Sequence, residues 1–446
     1  MEAAQTIADA RWRDLTTATA APALAERLCA ARKRTLLLAS DLTGGQLLGP
    51  QLSIVNPPLW EIAHVAWFQE YWCLRNRGEG GFTPSLVPAA DALYNSALVP
   101  HVTRWTLPLL PFDAVLHFLE DVLARVLERL QREPSNTSLR YFAELAASHE
   151  EMHCEAFTYT RQTLGYAAPR DGVKLVADGA TYPGDAALPG GKYLLGARRG
   201  DDFVFDNEKW EHAVTLQPFA LSRAAVTNRQ FAEFVDDNGY ARRELWSEEG
   251  WLWRTGAGAL APLYWLKRPA GWYQRVYADV EALAPQAAVM HVNWYEADAW
   301  CRWAGRRLPS EAEWEQAAAT VPADPSGAQG KRRYPWGDQT VDVTRANLYA
   351  AGGAVAPVSA YAAGDSAWGC RQLFGNVWEW TADWFNAYPG YQRDPYQEYS
   401  EPWFGNHKVL RGGCFATSAA LLRNTWRNFY TPDRRDVFAG FRTCAA

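Results

Sequence analysis

No apolar run in the 446 residues approaches the ~20 that a membrane span requires, and the opening MEAAQTIADARWRDL lacks the basic-then-apolar order of a secretory signal. The expected location is therefore the cytoplasm, with no membrane partner. Excess positive charge is also missing: the formal net charge is −6 and the arginines are scattered, so the sequence has no footprint for nucleic acid. Small-molecule partners are expected instead, for a protein that is a monomer or a weak dimer. Paired cysteines are absent. Cys29, Cys73, Cys154, Cys301, Cys370, Cys414 and Cys444 are odd in number and widely spaced with no CxxC, which excludes a disulfide framework and a thiolate zinc site and leaves buried thiols. Aromatic residues are plentiful, with 22 Trp beside 20 Tyr and 18 Phe, more than core filling alone comfortably explains. Some are expected to line a pocket.

Glycine is scarce over the first ~165 residues, where apolar positions recur at the helical period. Four helices can be read there. The first ends near Arg34. The second covers PPLWEIAHVAWFQEYWCLR, with two prolines suited to a first turn and Trp60, His64, Trp67, Phe68 and Tyr71 on one stripe. The third spans Phe112 to Gln131, with Val115, Leu119, Val122, Val126 and Leu130 inward. The fourth follows SNTS, with Ser138 as the expected N-cap and Gly165 as the stop. Residues 1–166 thus read as a helix bundle. The Pro/Gly/Asp-rich stretch 167–191 reads as a linker. Residues 192–446 form an α+β domain with much irregular structure, including strands at YLLGA and HAVTLQPFAL and helices at NRQFAEFVDD and YEADAWCRWAG.

The segment HEEMHCE places His149 and His153 four residues apart, so their rings stand nearly above one another and can face one ion. Glu155 falls on the far side of that helix and reads as a supporting or surface residue. His64, set in the aromatic stripe of a neighbouring helix, supplies the third imidazole. His101, His117, His212, His291 and His407 lack a matching partner. Three neutral imidazoles suit zinc, iron or copper, and an incomplete protein ligand set points to catalysis rather than a structural ion.

These residues carry a resemblance. The order NPPLWEIAH, HEEMHCE, FDNE, VTNRQFAEF, RLPSEAEWE, YPWGD, FGNVWEWTADWF, VLRGGCF, RNFY and FAGFR resembles the ergothioneine-type sulfoxide synthases from Pro57 to the C-terminus. That family joins a DinB-like four-helix bundle to a formylglycine-generating-enzyme-like (C-type-lectin-like) α+β domain. The resemblance implies Fe(II) on His64, His149 and His153, molecular oxygen as co-substrate, and hercynine, a trimethylated histidine, as the acceptor functionalised on its imidazole carbon. Asn428, Phe429 and Tyr430, with Tyr388, would line the acceptor pocket, where aromatic faces suit a quaternary ammonium. Trp378 and Trp380 also fit a core-packing role.

Three departures from the family pattern bear on the donor. The loop NSALVPHVTRWTLPL keeps only Arg104, followed by Trp105, where relatives using gamma-glutamylcysteine carry an Arg-rich loop; a donor with fewer carboxylates, or a sugar stacking on an aromatic ring, fits better. Phe385 stands where the family's proton-donating tyrosine is expected, which leaves Tyr388, Tyr391 or Tyr396 for that task. Met152 replaces the glutamine that often contacts the acceptor imidazole. Together these changes resemble the selenoneine synthase branch, which joins hercynine to selenium from a selenosugar. The alternatives are carbon–sulfur bond formation from cysteine or gamma-glutamylcysteine, and a zinc-dependent DinB-type thiol transferase, which would leave the aromatic second domain without a task. A copper formylglycine-generating enzyme would need paired cysteines near RGG, where only Cys414 occurs. A non-catalytic binding module would not need all three histidines.

Overall fold

In the computed structural model, which describes residues 22–169, 179–200, 203–349 and 354–446, the chain divides into two compact units between Arg170 and Asp171. Of the two stretches read above as an N-terminal helix and a linker, residues 1–21 and 170–178 lie outside the described residues. No helix among the described residues is long and apolar enough to cross a membrane. All seven cysteines are buried free thiols, as expected.

The first unit is built on α1 (Pro22–Ala39), α2 (Pro58–Glu70), α3 (Phe112–Arg132) and α4 (Thr137–Leu164). Proline at the first position of α2 loses no hydrogen bond there, because that N–H would have no intrahelical partner. The chain then widens into a π turn over Tyr71–Arg75. On α3 the whole expected stripe from Val115 to Leu130 is buried. The N-cap of α4 is Asn136 rather than Ser138: the Asn136 backbone is extended and its Oδ1 accepts from Leu139 N at 2.9 Å, which leaves Ser138 inside the first turn. Gly165 ends α4 with φ 67°, a conformation that carries no Cβ penalty in glycine.

Helices α1 and α4 meet along a buried ionic seam. Arg32 Nε donates to Glu150 at 2.7 Å and its Nη2 reaches Gln69 of α2 at 2.8 Å, while Arg27 holds Glu144 and Glu151. The seam fixes the rotation of α4: with Glu150 and Glu151 on α1, His149 and His153 turn toward α2.

The second unit is α+β. Its sheets follow the orders β1-β4-β13-β8, β11-β10-β9-β12, β2-β3 and β5-β6-β7. Asp185–Leu188, in the stretch read as linker, forms β1 and pairs antiparallel with β4 (Phe219–Ser222), and the turn at Pro189-Gly190 leads into β2 (Gly191–Leu195) on β3 (His212–Leu216). The meander β5 (Trp265–Arg268), β6 (Gly271–Val276) and β7 (Asp279–Ala282) follows. After it come β8 (Arg306–Arg307), β9 (Trp378–Trp384), β10 (Lys408–Arg411), β11 (Asn428–Tyr430), β12 (Ala439–Gly440) and β13 (Cys444–Ala445). Both expected helices form, as α5 (Asn228–Asp236) and α7 (Trp294–Trp303); α6 (Glu248–Ala257) and α8 (Glu311–Ala319) were not foreseen.

Trp314, Trp378 and Trp380 are fully buried, so the tryptophans of NVWEW pack the core. Around them runs a dry network of charge. Glu311 and Glu315 of α8 hold Arg411 of β10 at 2.9 and 2.6 Å, and Glu311 also holds Arg427 at 2.7 Å.

Candidate metal centre

His64 is aimed by its surroundings. It lies between the indoles of Trp60 and Trp67, with ring centroids 4.9 and 5.7 Å away. Its Nδ1 donates to the Tyr94 carbonyl at 2.7 Å. Tyr94 ends a short helix, Ala90–Tyr94, which Asp91 pins to α2 and the π turn by accepting from Trp67 Nε1 at 2.7 Å and from Arg75 at 2.7 and 2.8 Å. From α4, His149 lies flat against Phe68, with centroids 3.6 Å apart and planes 5° from parallel. His153 Nδ1 donates to Glu61 Oε1 at 2.6 Å, and that carboxylate is 1% exposed. An acceptor-only partner at each Nδ1 places the proton there on His64 and His153, so Nε2 presents a lone pair.

The three Nε2 atoms converge. His149 Nε2 is 3.3 Å from that of His64 and 3.2 Å from that of His153, and the donor atoms of all three lie within 4.8 Å of one another. Metal–nitrogen bonds of about 2.1 Å place neighbouring ligand atoms about 3.0–3.4 Å apart, so the site is the size of one coordination sphere. Burial, reinforced by His153, holds the His64 and His149 imidazoles well below their usual pKa, which keeps them neutral and able to coordinate. The donor set therefore fits a divalent transition metal such as iron(II), zinc or copper, with positions left for other ligands.

Glu61 was not singled out in the sequence reading, although its spacing to His64 is the i, i+3 pattern that puts a carboxylate and an imidazole on one helix face. Glu155, read as a supporting or surface residue, is 6% exposed, and Glu61 orients His153. A carboxylate on Nδ1 fixes the ring and raises its basicity as a ligand. Glu61→Gln is expected to weaken metal affinity about 10- to 100-fold, measured by competition against a chelator, while the far-UV spectrum stays unchanged.

Arg104 lies beside this centre, stacked on Trp60 at 3.8 Å, with Nη1 on Asn56 Oδ1 at 2.6 Å and Nη2 near the Val99 carbonyl at 3.3 Å. Its Nε is buried without a hydrogen-bond partner, and burial lowers the guanidinium pKa to about 10. Trp105 is turned toward Gly49, whose carbonyl accepts from its Nε1 at 3.2 Å. Met152, half-buried, occupies α4 between the two histidines.

The other expected site residues belong to the second unit. Phe385, fully buried, stacks on Phe429 at 4.0 Å, and Arg427 lies over both Phe385 and Tyr388 at 4.7 and 4.1 Å. Tyr388 donates to Glu311 Oε1 at 3.2 Å, and burial raises its pKa far above the usual phenol value. Tyr391, half-exposed, donates to Asp206 Oδ2 at 2.8 Å, and burial together with that carboxylate also raises its pKa. Asn428 and Tyr430 flank Phe429 on β11; Asn428 Oδ1 accepts from Phe429 N at 2.8 Å and Arg434 lies 5.1 Å from the Tyr430 ring. Phe404 and Tyr399 complete an aromatic cluster around Phe385 and Phe429. Sequence reasoning missed Arg427 and Asp206, whose partners are far away in the chain.

Two families match the two units. Residues 27–157 match the DinB superfamily, and residues 174–446 match the sulfatase-modifying factor enzyme 1-like domain. The chain is 38% identical over 433 residues to a hercynine oxygenase of Mycolicibacterium thermoresistibile, covering 94% of each chain. It is 36% identical to a hercynine oxygenase of Mycolicibacterium smegmatis, covering 94% of this chain and 97% of that one. A formylglycine-generating enzyme of Thermomonospora curvata is 33% identical over 59% of this chain and 93% of its own length.

Proposed function

The chain belongs to the ergothioneine-type sulfoxide synthase family, and on that premise we propose that it is an iron(II)- and oxygen-dependent enzyme joining a chalcogen donor to the imidazole carbon of hercynine, most specifically selenium from a selenosugar. The observation that carries this reading is the convergence of three imidazole Nε2 atoms from two helices on one point. His64, His149 and His153 would hold the iron(II), which would supply the redox chemistry.

The chain's own residues do the rest. Glu61 and the Tyr94 carbonyl hold His153 and His64 in the coordinating tautomer, and Phe68, Trp60 and Trp67 keep water from the ligand rings. Phe429 and Tyr430, with Asn428, offer aromatic faces and an amide to the trimethylammonium and its neighbours, each face contributing about 0.5–2 kcal/mol. Phe385 stacks on Phe429, and Arg427 links it to Tyr388 behind that surface.

The donor assignment rests on Arg104, Trp105 and Phe385. A lone buried guanidinium and an indole suit one anionic or hydroxylated group rather than two carboxylates. Phe385 has no proton to give. Tyr391 is the phenol we assign to proton handling, because it keeps both its proton and an opening to solvent. Iron-loaded protein incubated aerobically with hercynine is expected to give product from a selenosugar and little from cysteine or gamma-glutamylcysteine. Product from the two thiols alone would replace the selenium reading with carbon–sulfur bond formation. Equal turnover without oxygen, or with zinc, would remove the redox reading altogether.

A further inference from the structure

The loop that carries Arg104 and Trp105 begins and ends against one residue of the first unit. Tyr94 precedes it, and the Tyr94 carbonyl accepts from His64 Nδ1 at 2.7 Å. The Tyr94 phenol oxygen accepts from the backbone N–H of Leu110, 16 residues further along, at 3.0 Å. Tyr94 is fully buried, so water does not compete for either bond. Trp60 makes a second link. Its indole stacks on His64 with centroids 4.9 Å apart and planes 9° from parallel, donates Nε1 to the Leu93 carbonyl at 2.7 Å, and carries the Arg104 guanidinium at 3.8 Å.

The loop's remaining contacts run to residues 49–56, through Trp105, Gln51, His101 and Arg104. Leu98 and Val102 stay 67% and 63% exposed. A segment that leaves so much apolar surface in water opens more readily than the helices beside it, and each link to a buried residue counts toward keeping it closed. A metal ion on Nε2 draws electron density from the imidazole and makes Nδ1–H a stronger donor, so the bond to the Tyr94 carbonyl strengthens when the site fills. In return, a carbonyl held in place by the loop orients His64 for the metal. Thermodynamic linkage makes the two effects equal.

We propose that Tyr94 is a positioning residue that joins His64 to the far end of the Arg104 loop, so that metal at the three imidazoles and the closed loop stabilise one another. This rests on the metal centre proposed above. Its consequence for the reaction is that the metal-free protein holds the donor loop less firmly than the loaded one.

Hydrogen–deuterium exchange of the full-length protein with and without saturating zinc(II), a redox-inert probe of the three-imidazole site, tests the link. Zinc is expected to slow exchange of the amides within residues 96–110 about tenfold in the wild type. Tyr94→Phe keeps the carbonyl and loses the acceptor for Leu110. In that variant zinc should still bind stoichiometrically but change exchange in the loop less than about twofold, and zinc affinity, read by chelator competition, should fall about tenfold. A tyrosine with a purely structural role would instead raise exchange equally with and without zinc. Should Tyr94→Phe lose its fold, Leu110→Pro removes the donor and leaves the tyrosine in place, with the same expected result. Equal zinc protection of the loop in wild type and variant, or none in a wild type that binds zinc stoichiometrically, overturns the coupling and leaves the metal centre standing. A wild type that binds no zinc removes the metal centre, and the coupling with it.

Discussion

His149→Ala is expected to abolish stoichiometric metal binding and to lower product formation about a thousandfold. His149 is the vertex shared by both short nitrogen–nitrogen spacings, 3.3 Å to His64 and 3.2 Å to His153, so its loss leaves two ligands joined through no common neighbour. Metal analysis of purified protein, with turnover on hercynine, measures the loss. The variant also opens a void against Phe68, so some stability is lost as well. Far-UV circular dichroism and Tm separate the two effects: a folded, metal-free, inactive variant bears out the site, whereas a variant retaining metal and turnover would exclude His149 as a ligand.

The second large effect concerns stability. Glu315 accepts from Arg411 Nη2 at 2.6 Å, Tyr193 at 2.9 Å, Gly196 N at 3.0 Å and Lys331 at 3.0 Å, with its side chain and that of Arg411 fully buried. Glu315→Ala leaves Lys331 facing no counter-charge and Arg411 with Glu311 alone in a buried interior, and breaking a buried pair from one side costs about 3–5 kcal/mol. The chemical-denaturation midpoint of the second unit is expected to fall accordingly. Replacement of Arg411 and Glu315 together by apolar residues should cost less than either single change.

The same carboxylate sets an acid limit. Burial alone would raise its pKa, but Lys331 and Arg411 outweigh that and bring it from 4.5 to about 2. A carboxylate whose folded pKa is depressed stabilises the fold above its unfolded value, and that contribution is lost as pH falls from about 4.5 to about 2. Stability of the wild type should therefore decline over this interval, and Glu315→Gln should flatten the decline while lowering stability at neutral pH. An unchanged slope would show that other carboxylates control acid unfolding.

How legible these features were in the sequence depended on whether the causes are local. The helices of the first unit follow from apolar periodicity, and two of the three imidazoles follow from a four-residue step; His64 was found because it stood in an aromatic stripe. Glu61 was overlooked because the partner it orients, His153, lies on another helix. In the second unit, β9 and β10 escaped because alternation is lost when both faces are covered: Trp378–Thr381 and Lys408–Arg411 are buried at every position. A strand reading Lys-Val-Leu-Arg looks exposed, yet Arg411 is neutralised by α8, whose Glu311 and Glu315 are some hundred residues away. By contrast α8 was readable and missed, since Ser310 and Glu313 form a capping box.

Helix α4 faces two ways, with its acids on the α1 seam and its imidazoles toward α2, and this makes the segment intolerant of any change in length. One residue inserted between 149 and 153 would rotate everything beyond it by about 100°, separating the two imidazoles while also turning the acids from their arginines. The loop from 95 to 111, which carries Arg104 and Trp105, is under no such phase constraint. On the reading proposed above, lengthening or rewriting that loop would change donor preference while HEEMHCE keeps its spacing.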